Sequence, residues 1–239
     1  MDVHVFIPCF IDQLYPDAGF NTIKVLEKVG CKVHYNPKQT CCGQPAFNAG
    51  YWGEAKEVCN KFIDDFQHAE TIVIPSASCA GFVKNYYSKI YDNAPNQKDI
   101  KQFQGKVFEL SDFLINQLKI EDVGASFHGK VAYHDSCAAL RECNLRIEPK
   151  LLLSKVRGLE LLEIKENETC CGFGGTFSVK FEGISTAMGE QKVKNIVDTN
   201  ADYLVSTDLS CLMHLNGIIQ KKGHSIKSMH LADILASGY

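Results

Sequence analysis

At 239 residues, with 45% apolar and 22% charged side chains, the chain can bury a sizeable core and is too apolar for disorder. Net charge is −3 at neutral pH, and no cluster of Lys or Arg appears, which argues against a nucleic-acid footprint. No apolar stretch approaches a membrane span and the opening residues lack a secretory n-region, so a soluble cytoplasmic protein is expected.

In chain order, the β-rich run 3–7 predicts a first strand, with Cys9 directly beyond its end. Apolar residues at helical spacing predict a helix over 20–29 closed by Gly30, then a strand over 31–35. The loop 36–40 delivers Cys41 and Cys42. An amphipathic helix is expected over 53–68 and a buried strand over 71–74, followed by Cys79 and another helix. Residues 92–98 read as a polar surface loop. A strand over 106–110 and a helix over 112–118, capped by Ser111, end the first half.

The plan restarts after residues 121–125. Strands are expected over 130–133, 159–164, 203–206 and 226–229, and helices over 149–156, 185–197 and 231–235. Strands alternating with helices imply parallel βαβ units. The expected class is α/β: two tandem, pseudo-twofold-related, Rossmann-like repeats, 1–124 and 125–239, each with a parallel sheet. Ligands of open α/β sheets lie beyond the carboxyl ends of the strands, which is where these cysteines fall. Two clefts near the interface of the repeats are expected.

Eight of the eleven cysteines form two near-copies of one pattern. Cys9 precedes Cys41-Cys42-Gly43 by 31 intervening residues, and Cys79 follows after 36. Cys137 precedes Cys170-Cys171-Gly172 by 32, and Cys211 follows after 39. Many cysteines in a reducing compartment mean metal or redox chemistry more often than disulfides, and the odd total opposes a fully paired framework. Four thiols from separated loops suit an iron–sulfur cluster. Cys₄ zinc is the alternative, although neither half contains the CxxC knuckle usual for zinc.

Adjacent cysteines reach one centre only if the backbone turns tightly, and Gly43 and Gly172 suit such a turn. Pro45 suits the first turn of a helix, and Gly172-Phe173-Gly174-Gly175 offers a nest of N–H groups. Cys31 and Cys59 read as small buried hydrophobes, and Cys143 as a spare ligand at most. His134 and His214 fall near the second quartet, as hydrogen-bonding neighbours by default and as ligands or proton carriers otherwise. Arg141 reads as a solvated helix arginine, with a substrate carboxylate as its alternative partner. Trp52, Phe173 and Phe177 read as packing.

The two C…CCG…C units resemble the cysteine-rich CCG domains found in heterodisulfide reductase and in glycolate oxidase iron–sulfur subunits. Over essentially the whole chain they are most similar to the compact lactate-utilization members of that family. The most specific stretches are 40–46, 156–162 and 169–180. The resemblance implies an iron–sulfur subunit of a system that oxidises L-lactate to pyruvate. It implies one [4Fe-4S]-type cluster per repeat, held by Cys9, Cys41, Cys42 and Cys79 and by Cys137, Cys170, Cys171 and Cys211. Two sister subunits, one another iron–sulfur protein, are the implied partners. In heterodisulfide reductase each motif ends in CxxC. Here Ser76 and Asp208 stand at its first cysteine, so the five-thiolate cluster does not carry over. A zinc-bearing or metal-free assembly module and a thiol–disulfide reductase are the alternative functions.

Overall fold

A computed structural model describes residues 1–92 and 97–239; residues 93–96 of the loop expected over 92–98 lie outside the described residues. The first half carries β1 (Asp2–Val5), β2 (Lys32–Tyr35), β3 (Ile72–Ile74) and β4 (Val107–Glu109). The second carries β5 (Ser126–Tyr133), β6 (Arg157–Leu162), β7 (Tyr203–Ser206) and β8 (Lys227–His230). They form two all-parallel, four-stranded sheets, ordered β2-β1-β3-β4 and β6-β5-β7-β8. Val3 pairs with Val33 and His4 with Ile72; Val131 pairs with both Leu161 and Tyr203. Each half thus repeats one winding, the tandem βαβ architecture expected.

Helices cover both faces of a parallel sheet, so its central strands are apolar on both sides. Ile72, Val73 and Ile74 are accordingly all fully buried. Val3, Val5 and Val73 face one core that is continuous with Val131, Leu204, Val205 and Leu231 of the second half. Phe6, Ile72 and Ile74 face the other way, onto Phe62, Phe66 and Tyr87. Phe6 meets Phe62 edge-on at 4.7 Å between ring centres. One shared core therefore fixes the two sheets against each other, which matters because the cysteines lie where the halves meet.

Three local expectations need correcting. Ser111 does not cap the helix after β4. Glu109 does, its carboxylate accepting the N–H groups of Ser111 and Asp112 and the Ser111 hydroxyl. That element runs Leu110–Asp112 and passes into a π-helical turn, Phe113–Gln117. Helix Gln97–Gln104 includes two residues assigned to the surface loop.

Candidate metal centre

The strand ends place the sulfurs. Cys9 and Cys137 are the first residues of short helices, Cys9–Leu14 and Cys137–Arg141. Cys79 and Cys211 are the third residues of longer ones, Ala77–Ile90 and Leu209–Lys221, which start just after β3 and β7. All eight cysteines line one cavity of about 350 Å³, with Ser76, Ser78, Ser136, Asn48, Phe173 and Asp208 also on its wall. The two expected clefts are thus a single shared space.

The paired cysteines are brought inward as their glycines allow. Gly43 and Gly172 have φ of +92° and +93°, where an L side chain is strained. A Cβ on Gly172 would come within 2.6 Å of the Ser185 carbonyl oxygen. The turn aims the Gly43 N–H at Cys41 Sγ and the Gly172 N–H at Cys170 Sγ, each at 3.4 Å. The Phe173 N–H reaches Cys171 Sγ at 3.5 Å. Pro45 sits in the first turn of helix Gln44–Ala49, as expected.

Within each quartet the thiols contact one another in series, Cys9 to Cys41 to Cys42 to Cys79 and Cys137 to Cys170 to Cys171 to Cys211. Cys42 Sγ lies 3.4 Å from Cys79 Sγ. Hydrogen bonds from Cys42 and Cys9 pull the Cys41 thiol down to about 3. Those from Cys137 and Cys171 pull Cys170 down to about 2. Their neighbours shift upward: Cys9 and Cys42 through hydrogen bonding to Cys41 and then burial, Cys137 and Cys171 likewise beside Cys170. Each quartet therefore already holds a thiolate at its centre, the ionisation a soft metal requires.

The cysteine-rich CCG domain family matches residues 3–84 and 131–216, and each stretch contains one complete quartet. A lactate utilization protein A from Halalkalibacterium halodurans is 46% identical over 98% of this chain and 96% of its own. One from Bacillus subtilis is 40% identical over 99% of this chain and all of its own. The chain belongs to the lactate utilization protein A family. A hypothetical protein of Helicobacter pylori has a related fold, with TM-score 0.53 and 13% identity over the whole of this chain. The chain spans about half (49%) of that protein's length.

In this member of the lactate utilization protein A family, His134 is fully buried at the end of β5, and both its ring nitrogens lack a hydrogen-bond partner. Burial and Lys192 push its pKa down to about 3, so the ring is neutral. His214 is half-buried beside Phe173, with ring centres 6.1 Å apart. Arg141 is exposed and does not line the cavity, so the solvated reading holds. Cys143 is also off the wall, its thiol donating to the Ala77 carbonyl at 3.3 Å. Cys31 and Cys59 are buried, and Cys59, pushed up to about 12 by burial, donates to the Cys42 carbonyl. Phe173 lines the cavity, and Phe177 packs against Phe181. Trp52, expected in packing, is 67% exposed and only stacks on Phe47.

Sequence reasoning missed two supports. Lys192 is 1% exposed and donates to the Glu166 and Asn167 carbonyls, holding the loop that leads into Cys170. Burial lowers its pKa to about 8, against the pull of Asp135 and the nearby thiols. A lysine in helix Glu182–Val197 is ordinary in sequence, and only its burial makes it notable. Ser136, the cap of helix Cys137–Arg141, was legible as a Ser just before a cysteine at a strand end.

Proposed function

We propose that the protein works in lactate utilization as the iron–sulfur subunit of a multi-protein system that oxidises L-lactate to pyruvate in the cytoplasm. The observation that carries this reading is that the two cysteine quartets open onto one cavity. The name protein A, borne by relatives 40% and 46% identical, supports a system of several proteins; sister subunits, one of them another iron–sulfur protein, would be its partners. No helix among the described residues is long and apolar enough to cross a membrane.

Cys9, Cys41, Cys42 and Cys79 would hold one cluster, in repeat 1–124, and Cys137, Cys170, Cys171 and Cys211 another, of [4Fe-4S] type, in repeat 125–239. Such clusters supply one-electron acceptance and release. The protein's own contribution is to offer pre-ionised Cys41 and Cys170, to aim glycine N–H groups at sulfur, and to place both sites on one wall. The unpartnered nitrogens of His134 beside the second quartet support a metal there, since a buried polar group without a partner is costly.

One observation favours zinc as a second reading. Sulfur atoms 3.4 Å apart suit a single tetrahedral ion with bonds of about 2.3 Å. Anaerobic purification with iron, sulfide and zinc counts, and EPR of the reduced protein, separates the readings. Iron with acid-labile sulfide and a reduced-cluster signal is expected; zinc without sulfide overturns the electron-carrying reading.

A further inference from the structure

The two quartets are not surrounded alike. His134 stands three residues before Cys137, and Phe6 stands three before Cys9. Phe6 is an apolar member of the first half's aromatic core, edge-on to Phe62 and Phe66. His134 places a ring nitrogen so that it, Cys171 Sγ and Cys211 Sγ all lie within 4.8 Å of one another. The residue is fully buried, and neither nitrogen has a partner. A buried imidazole in that state forfeits the hydration of two polar atoms, and a group that accepts the ring's one lone pair beside Cys171 and Cys211 would compensate one of them. The chemical class that does so next to two thiols is a soft or borderline metal ion.

We propose that His134 is a nitrogen ligand of the metal centre in the second half, joining Cys171 and Cys211, and that the first half has no counterpart. Ligands on one tetrahedral metal, at about 2.1 Å for nitrogen and about 2.3 Å for sulfur, stand roughly 3.6 Å apart. Lys192 does not take the metal's place, because its three N–H donors are already directed at the Glu166 and Asn167 carbonyls and at Thr169 Oγ1. The inequality has a consequence that rests on the iron–sulfur reading. There His134 takes the place of one of the four thiolates of the second quartet, and exchanging thiolate for imidazole raises a cluster's reduction potential, so the second centre accepts an electron before the first.

The test uses the full chain, prepared anaerobically with ¹⁵N-histidine, and reads nitrogen coupling to the reduced centre by pulsed EPR, alongside metal and sulfide counts. X-ray absorption at the zinc edge covers zinc. His134→Gln and His134→Phe are the variants; the second installs what the first half carries naturally, and the first-half centre reports whether the fold survives. A histidine nitrogen coupling in the native protein that both variants lose, with the first-half signal unchanged, supports the proposal. Iron and sulfide without that coupling overturn it and leave the cluster reading standing. Zinc with histidine nitrogen in its shell, lost in both variants, supports the proposal and overturns the cluster reading. A coupling that persists in the variants, or a chain without metal, overturns it.

Discussion

Ser76 and Asp208 hold the same place in the two repeats, three residues before Cys79 and Cys211, and they are bonded to each other: the Ser76 hydroxyl donates to Asp208 Oδ1 at 3.0 Å. The Ser78 N–H donates to the same oxygen at 3.0 Å, and the Ser136 hydroxyl donates to Oδ2. Both carboxylate oxygens are therefore engaged, with partners from both halves. At the position where related motifs carry an extra cysteine, this chain has a clasp between its repeats.

Asp208→Ala removes that clasp and takes the acceptor from the Ser136 hydroxyl and the Ser78 N–H, while the Ser76 hydroxyl keeps Ser78 Oγ at 3.1 Å. We expect metal-free protein to lose about 2 to 4 kcal/mol in urea unfolding, and Ser76→Ala about 1 to 2 kcal/mol. An Asp208→Ala chain that keeps its metal-free stability but loses metal would instead make Asp208 a ligand.

Gly172 tests the turn. Gly172→Ala brings a Cβ within 2.6 Å of the Ser185 carbonyl at φ +93°, so it should cost more than about 2 kcal/mol and strip metal from the second quartet. Gly50→Ala, in the left-handed region at φ +89° with nothing within 4 Å and off the cavity wall, should cost only about 1 kcal/mol. Equal effects in unfolding and metal counts would refute the role given to the CCG turn.

Glu109 gives stability a pH dependence. Burial raises its carboxyl from the ordinary 4.5 to about 7, so the folded state holds a proton that the unfolded chain releases earlier. Its contribution is complete below about pH 4.5 and is lost as pH rises through about 7, a swing of order 3 kcal/mol. Glu109→Gln should flatten that fall in urea midpoints relative to the native chain; an unchanged slope contradicts the assignment.

Thiol labelling of metal-free protein checks the quartet electrostatics. An ordinary thiol labels about tenfold faster per pH unit below its pKa, whereas Cys41 and Cys170, already thiolates, should label at nearly constant rates from about pH 5 to 8. Their absolute rates should be modest, because a low-pKa thiolate is a weaker nucleophile. Peptide mapping after iodoacetamide pulses reads each site, and a tenfold-per-unit rise at Cys41 rules out the serial hydrogen bonding.

Much of the site was legible because its determinants are local. The repeated cysteine spacing, the glycine after each pair and Pro45 each dictate the backbone within a few residues. Helices Cys9–Leu14 and Cys137–Arg141 escaped because five or six residues are too few to show a periodicity. Glu109 took the capping role from Ser111 because its side chain folds back over the start of the next turn, which spacing alone does not reveal. The Ser76–Asp208 bond joins positions 132 residues apart, and His134 is notable only for burial without a partner. The first arises from packing one repeat on the other, the second from packing within the second repeat, where Lys192, Cys171 and Cys211 surround the ring.

If each half seats its own redox centre, the two quartets must load and empty separately. The direct measurement is the iron and acid-labile sulfide content of anaerobically prepared native chain beside Cys42→Ala and Cys171→Ala. Iron with sulfide is expected in the native protein, with the loss of about half of both in either variant, since each removes a thiolate ligand from one centre. A native chain with neither iron nor sulfide, or a single substitution that empties both quartets of a folded protein, would contradict separate centres.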